Sequence, residues 1–224
     1  MTADLIISYD GTPNDDDALA LGRLLAATGS SVALAYVRHS TEADPELEEA
    51  AQRDATERLE RGAAFFGGSA STHVVVGAST GAVLAELAKQ LNAAIVVFGS
   101  EYRTPVGRAE PGRSAQQLLE GGPVAIAIAA AGLRTDSHSA INSIAVPTAG
   151  PTNVDARSTA HSLADRLGAL VVDAYSGSFD LMVVVGSVDG SPNGRIALAG
   201  DVRNELDSAR GSVLVLPAGS PITF

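Results

Sequence analysis

The sequence predicts an α/β fold: an open, parallel, doubly wound sheet with helices on both faces, partially repeated in a reduced second domain. Three observations predict it. Short apolar runs alternate with longer amphipathic ones through the first 133 residues, the pattern of strands buried on both faces between covering helices. Hydrophobic residues make up 46% of the 224-residue chain but aromatic ones only 4%, with no Trp, so the core is aliphatic. The alternation then resumes, in shortened form, after a polar stretch at residues 134–140.

The elements follow in order. Leu5–Tyr9 reads as the first buried strand, and Asp10-Gly-Thr-Pro-Asn14 as a turn into a helix capped by Thr12 or Asn14. Asp15, Asp16 and Asp17 fall in that helix's first turn, where the macrodipole favours acids, and Gly29 closes it. Val32–Val37 is the second strand. Glu46–Phe65 is a charged helix with Glu48, Glu49, Arg53, Glu57 and Arg61 on its polar face, stopped by Gly67-Gly68. Thr72–Val76, Ala94–Phe98 and Val124–Ile128 are the third to fifth strands, with helices over Gly81–Gln90 and Gly112–Leu119 between them.

In the second half, Ile141–Val146, Leu170–Ala174, Leu181–Val185 and Ser212–Leu216 read as strands. Val154–Leu167, capped by Asn153, and Asp201–Ser208 read as helices. The expected domains are 1–133, complete, and 134–224, reduced. Between Ala174 and Leu181 there is no room for the helix, strand and helix of the first half. Parallel strands need a crossover of about a dozen residues or more when a helix covers it. Residues 175–180 therefore form a hairpin or a bare crossing, and part of a sheet face is left for the first half or a second subunit to cover.

Charge excludes some partners. A formal net charge of −11 argues against a nucleic-acid backbone or an anionic membrane surface. The absence of Cys excludes disulfides and thiolate chemistry. The start, Met1-Thr2-Ala3-Asp4, has no basic n-region, and no apolar run approaches the roughly 18–20 residues of a membrane span. A cytoplasmic protein is expected.

Ligands of open α/β sheets bind outside the carboxyl ends of the strands. Asp10-Gly11, Arg38-His39 and Gly77-Ala78 follow the first three strands, and the fourth is followed by the long loop Gly99–Ser114. Its glycines, hydroxyls and Arg103, Arg108 and Arg113, set before a helix, make either an anion cradle or a surface loop. His39, His73, His138 and His161 are scattered without metal-ligand spacing, and no Gly-x-Ser-x-Gly elbow occurs. Successive carboxylates at 15–17 diverge around a helix and read as a charge run.

Three segments carry a resemblance: Ile6-Ile-Ser-Tyr-Asp-Gly-Thr-Pro13, Val97-Phe-Gly-Ser-Glu-Tyr-Arg103 and Gly122-Pro-Val-Ala-Ile126. In this order they resemble a domain of the universal stress protein family, and the whole chain resembles a tandem member with a degenerate second domain. The resemblance implies a five-stranded parallel sheet. In nucleotide-binding members the aspartate after the first strand and the end of the second face adenine and ribose, while a glycine loop, Gly-x2-Gly-x9-Gly-(Ser/Thr), holds the phosphates. Asp10 with Gly11, Val37, Gly77, Gly99, Gly112 and Ser114 are the matching positions, with Arg103 and Arg113 as added phosphate partners. ATP or a related adenine nucleotide, with Mg2+, is the implied ligand.

The sequence also departs from that pattern. Tyr102 stands at the second glycine and Arg113 at the Ser/Thr position. In the second half Ala149 replaces the aspartate, and Asp201 at a helix start would repel phosphate, so a second complete site is not expected. Two readings stay open: a stress-response protein that senses a nucleotide, its long loop ordered by the ligand, or a member acting through protein contacts alone. A weak ATP hydrolase or nucleotide-dependent transferase is a third, without an identifiable acid, base or metal cluster. A regulatory protein partner is implied, together with a homodimer or an intramolecular pseudo-dimer in which Val124–Ile128 and Ser212–Leu216 pair antiparallel.

Overall fold

The computed structural model describes residues 4–135, 140–147, 153–174, 179–186, 194–198 and 200–224. Expectations for the chain start, Ala149, the Asn153 cap, the side chain of Asp201 and most of 187–199 lie outside the described residues.

Nine strands form one sheet in the order β3-β2-β1-β4-β5-β9-β8-β6-β7. They are β1 (Leu5–Ser8), β2 (Val32–Arg38), β3 (Ser71–Val76), β4 (Ile95–Phe98), β5 (Ala125–Ile128), β6 (Ser143–Val146), β7 (Leu170–Asp173), β8 (Leu181–Gly186) and β9 (Ser212–Pro217). The helices are α1 (Pro13–Ala26), α2 (Pro45–Ala64), α3 (Thr80–Leu91), α4 (Arg113–Leu119), α5 (Asn153–Leu167) and α6 (Gly200–Ser208). Read from the two outer sides inward, β2-β1-β4-β5 and β7-β6-β8-β9 have the same order, and only the first run has a further strand, β3.

Among the described residues every strand pair is parallel except one. β5 and β9 run antiparallel with Ala127 opposite Leu214, the pairing expected between the last strands of the two halves. Hence β1–β5 and β6–β9 present their carboxyl ends at opposite ends of the sheet. Alternation assigns the faces. Leu5, Ile7, Ala125, Ala127, Leu214 and Leu216 face α1, α2 and α5, whereas Ile6, Val96, Ile126, Val213 and Val215 face α3, α4 and α6. The fully buried Val213, Leu214, Val215 and Leu216 each contribute about 1.5–3 kcal/mol by leaving water.

β7 and β8 both pair parallel with β6, on its two sides. This excludes the hairpin: the chain crosses β6 between Ala174 and Asp180. The missing helix leaves a trace, because Leu170 on edge strand β7 is 71% exposed. No described helix is long and apolar enough to cross a membrane.

The three aspartates that start α1 are not one charge run. Asp15 completes a capping box with Thr12, which is the cap rather than Asn14. Asp17 is buried and turns inward to the segment leaving β5. Its carboxylate accepts from the amides of Gly132 and Arg134 at 2.9 and 2.7 Å and from Arg134 Nη1 at 2.7 Å. Replacing it strands two amides and a guanidinium. Asp17→Ala is expected to lower the free energy of unfolding by about 3 kcal/mol in urea titration, with Asp17→Asn losing less.

Candidate functional site

The site begins with local turn chemistry. After β1 the chain must reverse into α1 within a few residues, and Gly11 turns it with a φ of +80°. Asp15 Oδ2 closes the turn by accepting from Asp10 N–H at 3.1 Å, Thr12 N–H at 2.9 Å and Thr12 Oγ1 at 2.7 Å. Its carboxylate is thereby engaged. The Asp10 backbone carbonyl accepts from Arg58 Nη1 at 2.8 Å, leaving its carboxylate at the mouth of the turn.

The loop after β4 is drawn onto this turn. Asn14 Nδ2 donates to the Ser100 carbonyl at 2.8 Å, and a β-carbon at Gly99 would run into the Asn14 carbonyl, so only glycine permits the approach. Buried Ser100 donates its hydroxyl to Ala129 O at 2.7 Å and accepts from Glu110 N–H at 3.1 Å. Ser100 bridges Pro111, and Glu101 N–H donates to Glu110 O at 3.0 Å. The tip is held as well, by Gly107 N–H to Ala131 O at 2.9 Å and Gly211 N–H to Gly107 O at 2.9 Å. Backbone bonds within the loop and to the segments after β5 and before β9 thus hold it in this structure.

Together the two segments enclose a crevice of about 250 Å³ at the carboxyl ends of β1 and β4. Asp10, Gly99, Gly112, Arg113 and Ser114 of the sequence-derived set line it. Gly11 lies beside it, packed under the Arg58 stem. Val37 and Gly77 are not among its lining residues: Val37 is buried on the face that α3 covers, and Gly77 donates its N–H to Arg38 O at the end of β2 at 2.9 Å, while its carbonyl can accept from His39 Nδ1 at 3.3 Å.

The arginines divide differently from either sequence reading. Arg103 leaves the crevice and stacks 4.9 Å from the centroid of Tyr102, a ring that is 68% exposed. Arg108 reaches Asp207 O at 3.4 Å. Only Arg113 stays on the crevice wall. None of the three pairs with Glu101, Glu110 or the acids of α1 among the described ion pairs.

Sequence reasoning missed Glu101, Arg58 and Glu48. The Glu101 carboxylate stands in contact range of Gly112, the cap of α4, where a negative group suits the helix start. Arg58 sits 5.2 Å from the Tyr36 centroid, pairs with Asp54 at 2.7 Å, and buries an Nε that has no hydrogen-bond partner. Its signal was the Asp54–Arg58 spacing on α2. Glu48, read as part of a solvated face, forms a two-pronged pair with Arg38 at the end of β2, both bonds 2.7 Å. That guanidinium, aided by the Glu42 amide, holds the Glu48 carboxyl down at about 2. Among the described residues no three His, Asp or Glu side chains are grouped to hold a metal.

Burial pushes the Asp10 carboxyl up, and the Asp15 charge pushes it further, against the pull of Arg58 and His39.

An open α/β sheet with a crevice between the turn after β1 and the loop after β4 defines the class as doubly wound α/β. The model of the universal stress protein family matches residues 1–129, and the chain belongs to that family. No curated protein sequence matches it. Among solved structures, a universal stress protein from Archaeoglobus fulgidus is 14% identical, covers 99% of this chain and 80% of its own, and superposes with a TM-score of 0.60. A protein of unknown function from Pseudomonas aeruginosa is 15% identical, with 96% and 93% covered and a TM-score of 0.59. At these identities the likeness is one of fold.

A raised carboxyl pKa means that the folded state binds the Asp10 proton more tightly than the unfolded chain, so this group's contribution to stability falls as pH rises through its titration. Asp10→Asn is expected to melt higher than the unsubstituted chain at pH 7, and the gain is expected to vanish as pH drops below the ordinary aspartate range. Thermal melts at pH 7 and pH 3 check both.

Proposed function

We propose that this universal stress protein acts as a ligand-sensing regulator in the cytoplasm, with ATP or a related adenine nucleotide as the ligand of the β1–β4 crevice. One observation carries the reading: Asp10 and the Gly99 and Gly112 backbone, far apart in sequence, line a single crevice. Asp10 would face ribose, the backbone from Gly112 to Ser114 the phosphates, and Arg113 would add a cation. Three carboxylates, Asp10, Asp15 and Glu101, line the same space, so Mg2+ would have to accompany a polyphosphate. The volume lies just under the roughly 300 Å³ at which small-molecule pockets begin, which favours a ligand that leaves part of itself in solvent.

A second reading, regulation through protein contacts without nucleotide, is favoured by Glu101, whose carboxylate stands beside Gly112 on the crevice wall, where a phosphate would have to lie. Under both readings we take 1–133 and 134–224 as a complete and a reduced unit, joined through β5 and β9 as an intramolecular pseudo-dimer. The repeated strand order supports this. The outer edges β3 and β7 then remain for a homodimer or a regulatory partner.

Calorimetric titration with ATP and AMP, with and without Mg2+, separates the two readings. Saturable ATP binding with Mg2+, weakened at least about tenfold by Asp10→Ala and strengthened in Mg2+-free buffer by Glu101→Gln, is the expected result. No binding of either nucleotide to the folded chain or to Glu101→Gln rejects the nucleotide reading.

A further inference from the structure

Apart from Tyr102, the described wall of the crevice offers an aromatic ring no flat apolar surface. Phe98 and Ala115 line it but are buried, and the remaining wall is glycine backbone, hydroxyls, amides and charges. Val37, at the end of β2, is buried outside that lining. Tyr102 is the exception. It lines the crevice with a ring that is 68% exposed.

Local bonds present the ring in a fixed way. Thr104 N–H donates to Glu101 O at 3.0 Å and closes a turn whose two central residues are Tyr102 and Arg103. Glu101 N–H to Glu110 O at 3.0 Å and Thr104 Oγ1 to Glu110 Oε2 at 3.4 Å tie that turn to the returning half of the loop. The Arg103 guanidinium lies over one face of the ring, which leaves the other face uncovered. The Tyr102 hydroxyl makes no hydrogen bond to a described residue, so neither burial nor a bond to the fold accounts for a tyrosine here. A ring fixed at the rim with one face open is a stacking platform.

We infer that Tyr102 is the base-binding, specificity-determining residue of the crevice: the ligand's aromatic base stacks on the open face of its ring, and sugar and phosphates take the polar interior. The inference rests on the nucleotide reading of the crevice. It adds the seat of the part that an interior of about 250 Å³ does not enclose. Stacking accepts any base through its π-face and strengthens with ring area, so the platform selects a purine over a pyrimidine.

Calorimetric titration with ATP and CTP in Mg2+ buffer, read together with tyrosine emission, tests this. The chain has no Trp and four Tyr, so its emission is that of tyrosine. ATP is expected to bind more tightly than CTP and to quench part of the emission. Tyr102→Ala, with an unchanged circular dichroism spectrum, is expected to lose about tenfold in ATP affinity and to bind the two nucleotides about equally. Tyr102→Phe retains the stacking face. It is expected to recover ATP affinity to within about twofold of the unsubstituted chain, while the quenching at saturation diminishes. ATP affinity unchanged in Tyr102→Ala, equal losses in the Ala and Phe variants, or undiminished quenching in Tyr102→Phe overturns the inference and leaves ATP in the crevice. Failure of the unsubstituted chain to bind ATP overturns the crevice reading, and the inference with it.

Discussion

The antiparallel contact of β5 with β9 is the constraint on which the arrangement depends. Two runs of parallel strands could each have ended in an exposed edge of unsatisfied amides and carbonyls. Their last strands instead satisfy one another and bury Val213 to Leu216 on both faces. Because the pairing is antiparallel, the carboxyl end of β5 meets the amino end of β9. That brings the β4–α4 loop against Gly211 and Asp207, so a crevice built from the first half has a wall anchored in the second.

The crevice itself is a compromise between shape and charge. Close approach at Gly99 and the capping box at Thr12 hold its two sides together. The same chemistry lines it with acid: Asp15 is required by the turn, Glu101 stands beside Gly112 without bonding to the helix start, and Asp10 lies next to Asp15.

The part of the sheet formed by β6–β9 keeps its core by other means. Without a counterpart of α2, β3 and α3, it relies on α5 lying across β6, β7 and β8, and on the segment after β9 packing beside that helix. Asp155, Thr159 and Ser162 on the polar stripe of α5 therefore take main-chain amides, although they would read as solvated in isolation.

Much was legible in the chain alone. The five-residue apolar runs, the glycine stops and the Pro-Val start before β5 are local signals, since buried parallel strands and helix ends each impose their own residue types. The turn after β1 and the loop after β4 were likewise legible as opening on one site, because topology puts both at carboxyl ends of adjacent strands. What only the tertiary structure decided are the partners of long polar side chains. Arg103 and Arg108 turned away from the crevice, Glu48 and Arg58 turned inward from a helix read as solvated, and Asp17 reached the segment beyond β5. Sequence spacing tells which face of an element a residue occupies, but the partner of a flexible charge is set by what distant segments bring within about 3 Å of it, and that is known only once the chain has folded.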